Sequence, residues 1–155
     1  SRIEMMRGSN VQDTCVVHSY PDKDVVIAED GHVGHGAVVH GCTVGRNALI
    51  GMNAVLMDDV QVGADCIVGA MSFVSEGTTL PPRTLWAGTP ARQIRELSVQ
   101  EIEWKSGGTR IYQHLAQRHR ETAHAVEPLI QADAARLSQH VPSVGYKTKD
   151  TFNNS

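Results

Sequence analysis

The sequence predicts a mainly β fold, a coil of short stacked strands followed by α-helices, and two observations carry this prediction. An aliphatic residue recurs every six positions through much of the first half of the chain: Val44, Ile50, Leu56, Val62, Val68 and Val74. Eight of the 14 glycines lie between Gly31 and Gly69, whereas residues 97–140 contain only Gly107 and Gly108. We therefore expect turns and short strands in the first half and helix in the second.

A period of six residues fits neither an amphipathic helix nor an alternating strand. It fits a three-sided coil of about 18 residues per turn, whose sides each point one aliphatic side chain inward. Glycine follows the aliphatic residue in four of the six units, where its conformational freedom is expected to help the chain turn. A β-sandwich would instead place its turns every ~8–12 residues. The pattern resembles the left-handed parallel β-helix, or hexapeptide-repeat, superfamily.

The β-helix is expected to occupy residues 1–92. Pro81-Pro82 ends the repeat, and Gly88-Thr89-Pro90-Ala91-Arg92 resembles the segment through which such β-helices pass into a C-terminal helix. The last residues, 141–155, are polar and are expected to form a flexible tail.

C-terminal helices are expected over residues 93–140, packed on the coil. Ser98-Val99-Gln100-Glu101 is a capping-box pattern, so a helix is predicted to begin near Val99. Gly107-Gly108 is expected to interrupt this helix, and a second one is predicted over residues 109–125.

Composition excludes several classes of function. A net charge of -3 gives no basic field for nucleic acid, and no apolar run approaches the ~18 residues of a membrane span. Three cysteines without C-x-x-C spacing fit a reducing compartment. We expect a cytoplasmic protein that binds neither nucleic acid nor membrane.

Histidines in the repeat region are the main candidates for chemistry. His18 and His40 each follow an inward-facing valine and are 22 residues apart, which equals one coil of about 18 residues plus an insertion of four within residues 19–24. They are therefore expected to stack on one face of adjacent coils, close enough to share a zinc ion. His35 lies on a neighbouring face, so an adjacent subunit is expected to supply the third ring at a subunit interface.

Other polar or reactive residues favour structural roles. His32 is expected to be a surface turn residue, and Asp58-Asp59 to be solvated residues at a corner of the coil. Cys42 and Cys66 fall at or beside small inward positions, so they are expected to be core thiols rather than nucleophiles.

The segments around these histidines resemble the γ-class carbonic anhydrase family, and within it the subgroup of phenylacetic acid degradation and carnitine operon proteins (PaaY and CaiE). The resemblance extends from about residue 9 to about residue 129. It rests on motifs that occur in the family's order and spacing: Asn10-Val11-Gln12-Asp13, Val16-Val17-His18, Gly31-His32-Val33-Gly34-His35, Val38-Val39-His40-Gly41-Cys42, Trp104-Lys105 and Tyr112-Gln113.

The resemblance implies three metal ligands, one of them donated across the interface of a homotrimer: His18, His40 and, from the neighbouring subunit, His35. It also implies that Gln12 contacts metal-bound solvent or bicarbonate and that Asp13 belongs to the interface network beside the site. Tyr112 either matches the family's tyrosine near the metal or packs on the coil.

Three imidazoles leave a zinc ion (or Fe²⁺ or Co²⁺) with an open position for water, as in catalytic sites. The resemblance therefore implies a metal-hydroxide enzyme of PaaY type, which hydrolyses acyl-CoA thioesters in phenylacetate-type aromatic degradation, with or without carbonic anhydrase activity on CO2. Two alternatives remain open. One is a CoA-dependent hexapeptide acyltransferase, which needs one histidine as general base and no metal triad; the other is a non-catalytic accessory trimer.

Two departures from the family pattern affect these expectations. The family begins with about two further coils and an R-x-D segment, which Arg2 and Arg7 do not replace, so we expect the N-terminal coils to be missing here. The insertion at residues 19–24 is too short to carry the glutamate-bearing loop of the most active γ-class enzymes, so fast CO2 hydration is not expected.

Overall fold

The six-residue repeat folds into short strands, most of them two or three residues long. The structure is a computed structural model, which describes residues 1–128 and 130–131. Most of these strands contribute one buried side chain before the chain turns. The strands are β1 (Ile3–Met5), β2 (Asn10–Val11), β3 (Val16–His18), β4 (Val25–Ile27), β5 (His32–Val33), β6 (Val38–His40), β7 (Thr43–Val44), β8 (Leu49–Ile50), β9 (Val55–Leu56), β10 (Gln61–Val62), β11 (Ile67–Val68), β12 (Phe73–Val74), β13 (Thr79–Leu80), β14 (Thr84–Gly88) and β15 (Ala91–Glu96).

The strands stack in three sheets that form the sides of a β-solenoid of about five turns. The first sheet has the order β1-β4-β7-β10-β13, and the third has the order β12-β9-β6-β3. The second contains β2, β5, β8, β11 and β14 in parallel, and β15 pairs with β14 in the antiparallel sense. The predicted mainly β, coiled architecture is confirmed, but the antiparallel β15 was not predicted, and it crosses the expected boundary at residue 92.

The interior consists of the predicted aliphatic series. All six of its members are at most 3% exposed: Val44, Ile50, Leu56, Val62, Val68 and Val74. Cys42 and Cys66 are 1% and 0% exposed, so the prediction of core thiols is confirmed. Burial raises the pKa of the Cys42 thiol to about 12, which keeps it protonated at neutral pH.

The repeat glycines do not serve mainly as turn residues, contrary to our expectation. A Cβ on Gly45 would overlap the Val62 carbonyl oxygen of the next coil, and Gly51 and Gly63 are blocked in the same way. The left-handed backbone is adopted elsewhere, by other glycines such as Gly36 and Gly41 and by Asn and Asp. Asn and Asp tolerate it better than other non-glycine residues and adopt it at six positions: Asp22, Asp30, Asn47, Asn53, Asp59 and Asp65. These three glycines therefore allow the coils to approach closely.

The C-terminal helix α1 spans Val99–Thr122 and begins where the capping box predicts. The Ser98 hydroxyl accepts a hydrogen bond from the Glu101 backbone N–H, and the Glu101 carboxylate accepts one from the Ser98 backbone N–H. Two of the four backbone donors exposed near the start of the helix are thereby satisfied or shielded. The helix start is confirmed.

The predicted break at Gly107-Gly108 is wrong, because α1 continues through both glycines. A helical glycine costs about 0.5–1 kcal/mol relative to alanine, but contacts with the solenoid hold the helix on both sides of the pair. Before it, the buried Lys105 ammonium donates to the Asp30 carbonyl oxygen at 2.8 Å and to Asn47 Oδ1 at 2.9 Å. After it, Gln113 Nε2 donates to Asp30 Oδ1 at 2.7 Å. Tertiary contacts therefore outweigh the local preference.

The remaining expectations for the C-terminal part concern residues that are only partly described. The tail at residues 141–155 and the last residues of the 93–140 segment lie outside the described residues. Within the described part of the chain, no helix combines the length and the apolar character that crossing a bilayer requires.

Candidate metal centre and the adjoining groove

Two of the predicted metal ligands stack on the third sheet. β3 and β6 pair in parallel, and His18 lies directly opposite His40. Their ring centroids are 4.7 Å apart and their planes differ by 21°. The insertion leaves this register intact, because Tyr20 and Lys23 exchange backbone hydrogen bonds and close residues 19–24 into a tight turn. The predicted stacking of the two histidines is confirmed.

Asp58 orients the His40 ring and is not the solvated residue that we expected. His40 Nδ1–H donates to Asp58 Oδ1 at 2.6 Å, and only 13% of the Asp58 side chain is exposed. This bond fixes the proton on Nδ1 and leaves Nε2 with its lone pair available. A carboxylate behind a ligating histidine is a common arrangement in zinc sites. Val39 pairs with Leu56 on the next coil, so counting coils from His40 leads to Met57, and the repeat alone would not have identified Asp58.

Tyr20 covers the same pair of rings. Its ring centroid lies 5.5 Å from that of His40 and 6.5 Å from that of His18. Its phenol pKa is raised by burial and, next, by the charge of Asp58. Lys23, which belongs to the same turn as Tyr20, forms an ion pair with Asp59. Tyr20 lies in the insertion, outside the repeat, so the sequence carried no signal for its position.

His35 lies on a different face of the solenoid, at the corner between the second and third sheets. Its backbone N–H donates to Gln12 Oε1 at 3.2 Å, and its Nδ1 lies 3.4 Å from Asp13 Oδ2. Among the described residues, no three His, Cys, Asp or Glu side chains of one subunit converge on a common point. The structure thus brings His18 and His40 together and keeps His35 apart, as their register predicted.

Gln12 is held at both ends of its amide. Because Oε1 accepts from the His35 backbone, Nε2 is the donor in its 2.8 Å contact with His32 Nε2. His32 must therefore accept this bond as a neutral imidazole. The expectation that His32 is a surface turn residue is wrong, since it lies in β5 and is only 8% exposed.

The environment of His32 keeps its ring uncharged. Burial, and then the nearby charges of Lys105 and His35, lower the pKa of His32 to about 4. Helix α1 supplies the burial, because the Tyr112 ring meets the His32 ring edge-on with centroids 5.0 Å apart. Tyr112 therefore packs on the coil, as one of its two expected roles requires, and it lines a groove together with Gln12 and His35. Its other expected role, beside the metal, stays a prediction.

Asn10 is a further polar residue beside Gln12 that the sequence analysis did not single out. Its amide nitrogen and oxygen are buried and have no hydrogen-bond partner among the described residues. Leaving a buried polar group unpaired costs about 1–3 kcal/mol. The amide therefore marks a place where solvent, a ligand or a second subunit can complete the hydrogen bonding.

A groove of about 680 Å³ runs between the second sheet and helix α1. Gln12, His32 and His35 lie on one part of its wall. The remainder is mostly apolar: Leu49, Ile50, Met52, Ala70, Trp104, Ile111 and Leu115. This volume lies within the range of ~300–1,000 Å³ that is usual for small-molecule sites.

Comparisons with known proteins identify the family and the fold of this chain. Residues 41–76 match the family described as bacterial transferase hexapeptide (six repeats). The carnitine operon protein CaiE of Escherichia coli K12 is 45% identical over 135 residues, which cover 87% of this chain and 69% of CaiE. CaiE of Salmonella agona is 47% identical over 135 residues, covering 87% of this chain and 68% of that protein.

Two solved structures share the fold. A Bacillus cereus protein whose name describes it as an acetyltransferase is 34% identical, with a TM-score of 0.73, and the match covers 75% of this chain and 67% of that one. A hexapeptide transferase family protein from Anaplasma phagocytophilum is 32% identical, with a TM-score of 0.69, and the match covers 73% and 66% of the two chains.

Proposed function

We propose a metal-dependent hydrolytic function for this chain, which belongs to the CaiE family of hexapeptide-repeat proteins. The observation that carries the proposal is the stacked pair His18 and His40, with Asp58 behind His40. A hydrogen bond from Nδ1–H to a carboxylate leaves Nε2 as a lone-pair donor, which is the state that a metal ligand needs.

The donor set fits a divalent transition metal. Two neutral imidazoles come from one subunit, and His35 of an adjacent copy supplies the third, since the His35 of the same subunit lies on another face. Three histidines with an open fourth position are the usual ligands of catalytic zinc, and Fe²⁺ or Co²⁺ accepts the same donors. Such an ion lowers the pKa of bound water to about 7 and so supplies hydroxide at neutral pH.

The His35 corner, which we define by Asp13, His35, Met52 and Met71 at the turns between the second and third sheets, supports assembly into a homotrimer. Successive coils bond to one another along it, since Asn53 N–H donates to the His35 carbonyl and Met71 N–H donates to the Met52 carbonyl. Met52 and Met71 are 54% and 69% exposed, which leaves two large apolar side chains in solvent beside His35. A subunit interface on this corner would cover them and carry His35 to a neighbour.

We propose acyl-CoA thioesters as substrates, in the cytoplasm and in a pathway of the phenylacetate type, with CO2 as a second substrate. Hydrolysis breaks the C–S bond and yields a carboxylate and the CoA thiol. Gln12 is positioned for orientation, because its amide is fixed by His32 and His35 and retains one N–H and one lone pair for solvent or substrate. Asp13 would hold the His35 corner, and Tyr112 would border the substrate.

The test combines metal analysis with a thioesterase panel and a CO2 hydration assay on metal-reconstituted protein. We expect one metal per subunit and hydrolysis of aromatic acyl-CoA. His114→Ala serves as a control, because His114 is exposed on α1 and lines neither of the cavities that Gln12 and His35 border. Metal-free protein that transfers acyl groups to an acceptor at full rate would contradict the proposal.

A CoA-dependent acyltransferase is the second candidate, and the names of the Bacillus and Anaplasma neighbours favour it. Such an enzyme needs one histidine as general base and no metal. It would retain activity after exhaustive chelation and would consume acyl-CoA only when an acceptor is present. A metal-loaded protein without turnover on any of these substrates would instead indicate an accessory trimer.

A further inference from the structure

The groove beside Gln12 has a mostly apolar wall although it contains titratable side chains. His32 is neutral, because its Nε2 accepts the Gln12 hydrogen bond. Lys105 donates through its ammonium to the Asp30 carbonyl and to Asn47 Oδ1, so two of its three donors are already used by protein oxygens. Apolar side chains form most of the remaining surface. Such a wall favours the uncharged, apolar part of a ligand over a phosphate or a carboxylate.

Gly108 gives a second, independent indication that this space is used. It lies within α1 and lines the groove, and a Cβ built on it meets no atom within 4 Å in the described part of the chain. Its φ is not in the left-handed region, so neither packing nor backbone conformation requires glycine there. Alanine or leucine would favour the helix more. A side chain at position 108 would occupy part of the open volume of the groove.

We propose that this groove binds the acyl group of the substrate and that Gly108 keeps it open. The inference rests on the proposed thioester hydrolysis and adds the position and the chemistry of the acyl group. The apolar chain or aromatic ring lies between the second sheet and α1, and the carbonyl carbon lies at the end formed by Gln12 and His35. The substrate class is therefore an aromatic or medium-chain acyl thioester rather than acetyl-CoA.

Gly108→Leu and Gly107→Leu form a matched pair of variants that test this. Both gain helix propensity, but Gly107 does not line the groove, and a Cβ there makes only an ordinary contact with Arg110 at 3.8 Å. We expect Gly108→Leu to lower kcat/KM for phenylacetyl-CoA at least about tenfold, because one surplus methylene in an apolar pocket changes selectivity by roughly 10- to 200-fold. With Gly108→Leu, kcat/KM for acetyl-CoA should change less than about threefold, because the acetyl group does not reach the filled space. With Gly107→Leu, kcat/KM for every substrate should change less than about threefold, because this side chain lies outside the groove.

A binding measurement separates this inference from the proposed function. Phenylacetamide, an uncharged aromatic amide, is titrated into metal-free protein, and the fluorescence of Trp104, which lines the groove, reports its occupancy. Saturable binding that Gly108→Leu abolishes and Gly107→Leu retains would support the inference even if no thioester is hydrolysed.

Two results would overturn it. One is hydrolysis of phenylacetyl-CoA with the same kcat/KM in wild type and Gly108→Leu, which would leave the hydrolytic function in place and remove its acyl site. The other is a Gly108→Leu protein that binds phenylacetamide normally but assembles into a different oligomer in sedimentation. In that case a second copy of the chain, and not an acyl group, fills the groove.

Discussion

Two histidine clusters occupy neighbouring faces of one solenoid and differ in nearly every physical respect. On the third sheet, His18 and His40 stack at the surface, and a carboxylate is hydrogen-bonded to His40. At the other cluster, His32 is buried beneath α1 and accepts a hydrogen bond from Gln12. The first arrangement places a carboxylate behind a ring that solvent can reach, and the second encloses a ring that must stay uncharged to accept its hydrogen bond.

The difference arises from the neighbours of each ring and not from its place in the repeat. On the next coil, His40 has the Asp58 carboxylate within hydrogen-bonding distance, whereas His32 has the apolar Leu49 as its register partner. Helix α1 then covers His32 but leaves the third sheet open. The same residue type is thus expected to serve as a ligand in one place and as a fixed hydrogen-bond acceptor in the other. Four predictions test this division.

The largest effect is expected from His40→Ala. This change removes one of the two imidazoles of the stacked pair. Removing a residue that only holds a metal ligand in place lowers metal affinity roughly 10- to 100-fold, so the loss of the ligand itself should lower it further. Metal content after dialysis measures it, and circular dichroism checks that the solenoid still folds. Full metal occupancy in this variant would show that the pair is not the metal site.

Asp58→Asn should weaken metal binding by about 10- to 100-fold while leaving both imidazoles in place. The amide does not stabilise the Nδ1–H of His40 as the carboxylate does. Asp59→Asn is the matched control, since Asp59 is adjacent in sequence but pairs with Lys23. Competition with a chromophoric chelator gives both affinities, and equal losses would contradict an orienting role for Asp58.

Stability should depend on pH through His32. Its pKa is about 4 in the folded protein and near 6.5 when unfolded, so the unfolded chain binds more protons between these values. The contribution is therefore fully present above pH 6.5 and is lost as pH falls towards 4, by about 2 kcal/mol from pH 7 to pH 5. Urea unfolding of metal-free wild type and His32→Phe at both pH values measures it, and the variant should lose less stability.

The smallest effect is expected on kcat when His32 is replaced. His32→Phe removes the acceptor of Gln12, and one hydrogen bond of about 1 kcal/mol corresponds to a loss of roughly fivefold in kcat. His32→Gln can accept the bond again and should recover most of that loss. Metal content should be unchanged in both variants. Equal activity of the Phe and Gln variants would show that His32 only fills space.

The solenoid and the histidine pair could be predicted because the repeat is strict. An aliphatic residue every six positions determines which residues lie inside, and a whole number of coils determines which residues stack across strands. The His18–His40 pairing follows from that count once the insertion is subtracted, whereas one further coil leads to Met57, the residue before Asp58. These are consequences of short-range geometry repeated along the chain.

The environment of His32 could not be predicted in this way, because it depends on contacts across the chain. Tyr112 covers His32 from a position 80 residues later, and Lys105 fastens the helix through Asp30 and Asn47. The same contacts carry α1 through Gly107-Gly108. No local pattern specifies where a helix rests on a solenoid, so neither the burial of His32 nor the groove could be found before the packing was known.

The turn at residues 19–24 has a consequence for how this protein could be altered. It leaves the coil after β3 and rejoins it before β4, and His18 still pairs with His40. The interior and the outer rim are thus specified by separate sets of residues. A longer peptide could therefore be inserted between Ser19 and Asp24, over the histidine pair, without redesigning the solenoid. Such an insertion could change the access of substrates to the pair, the selectivity among them, or the transfer of protons.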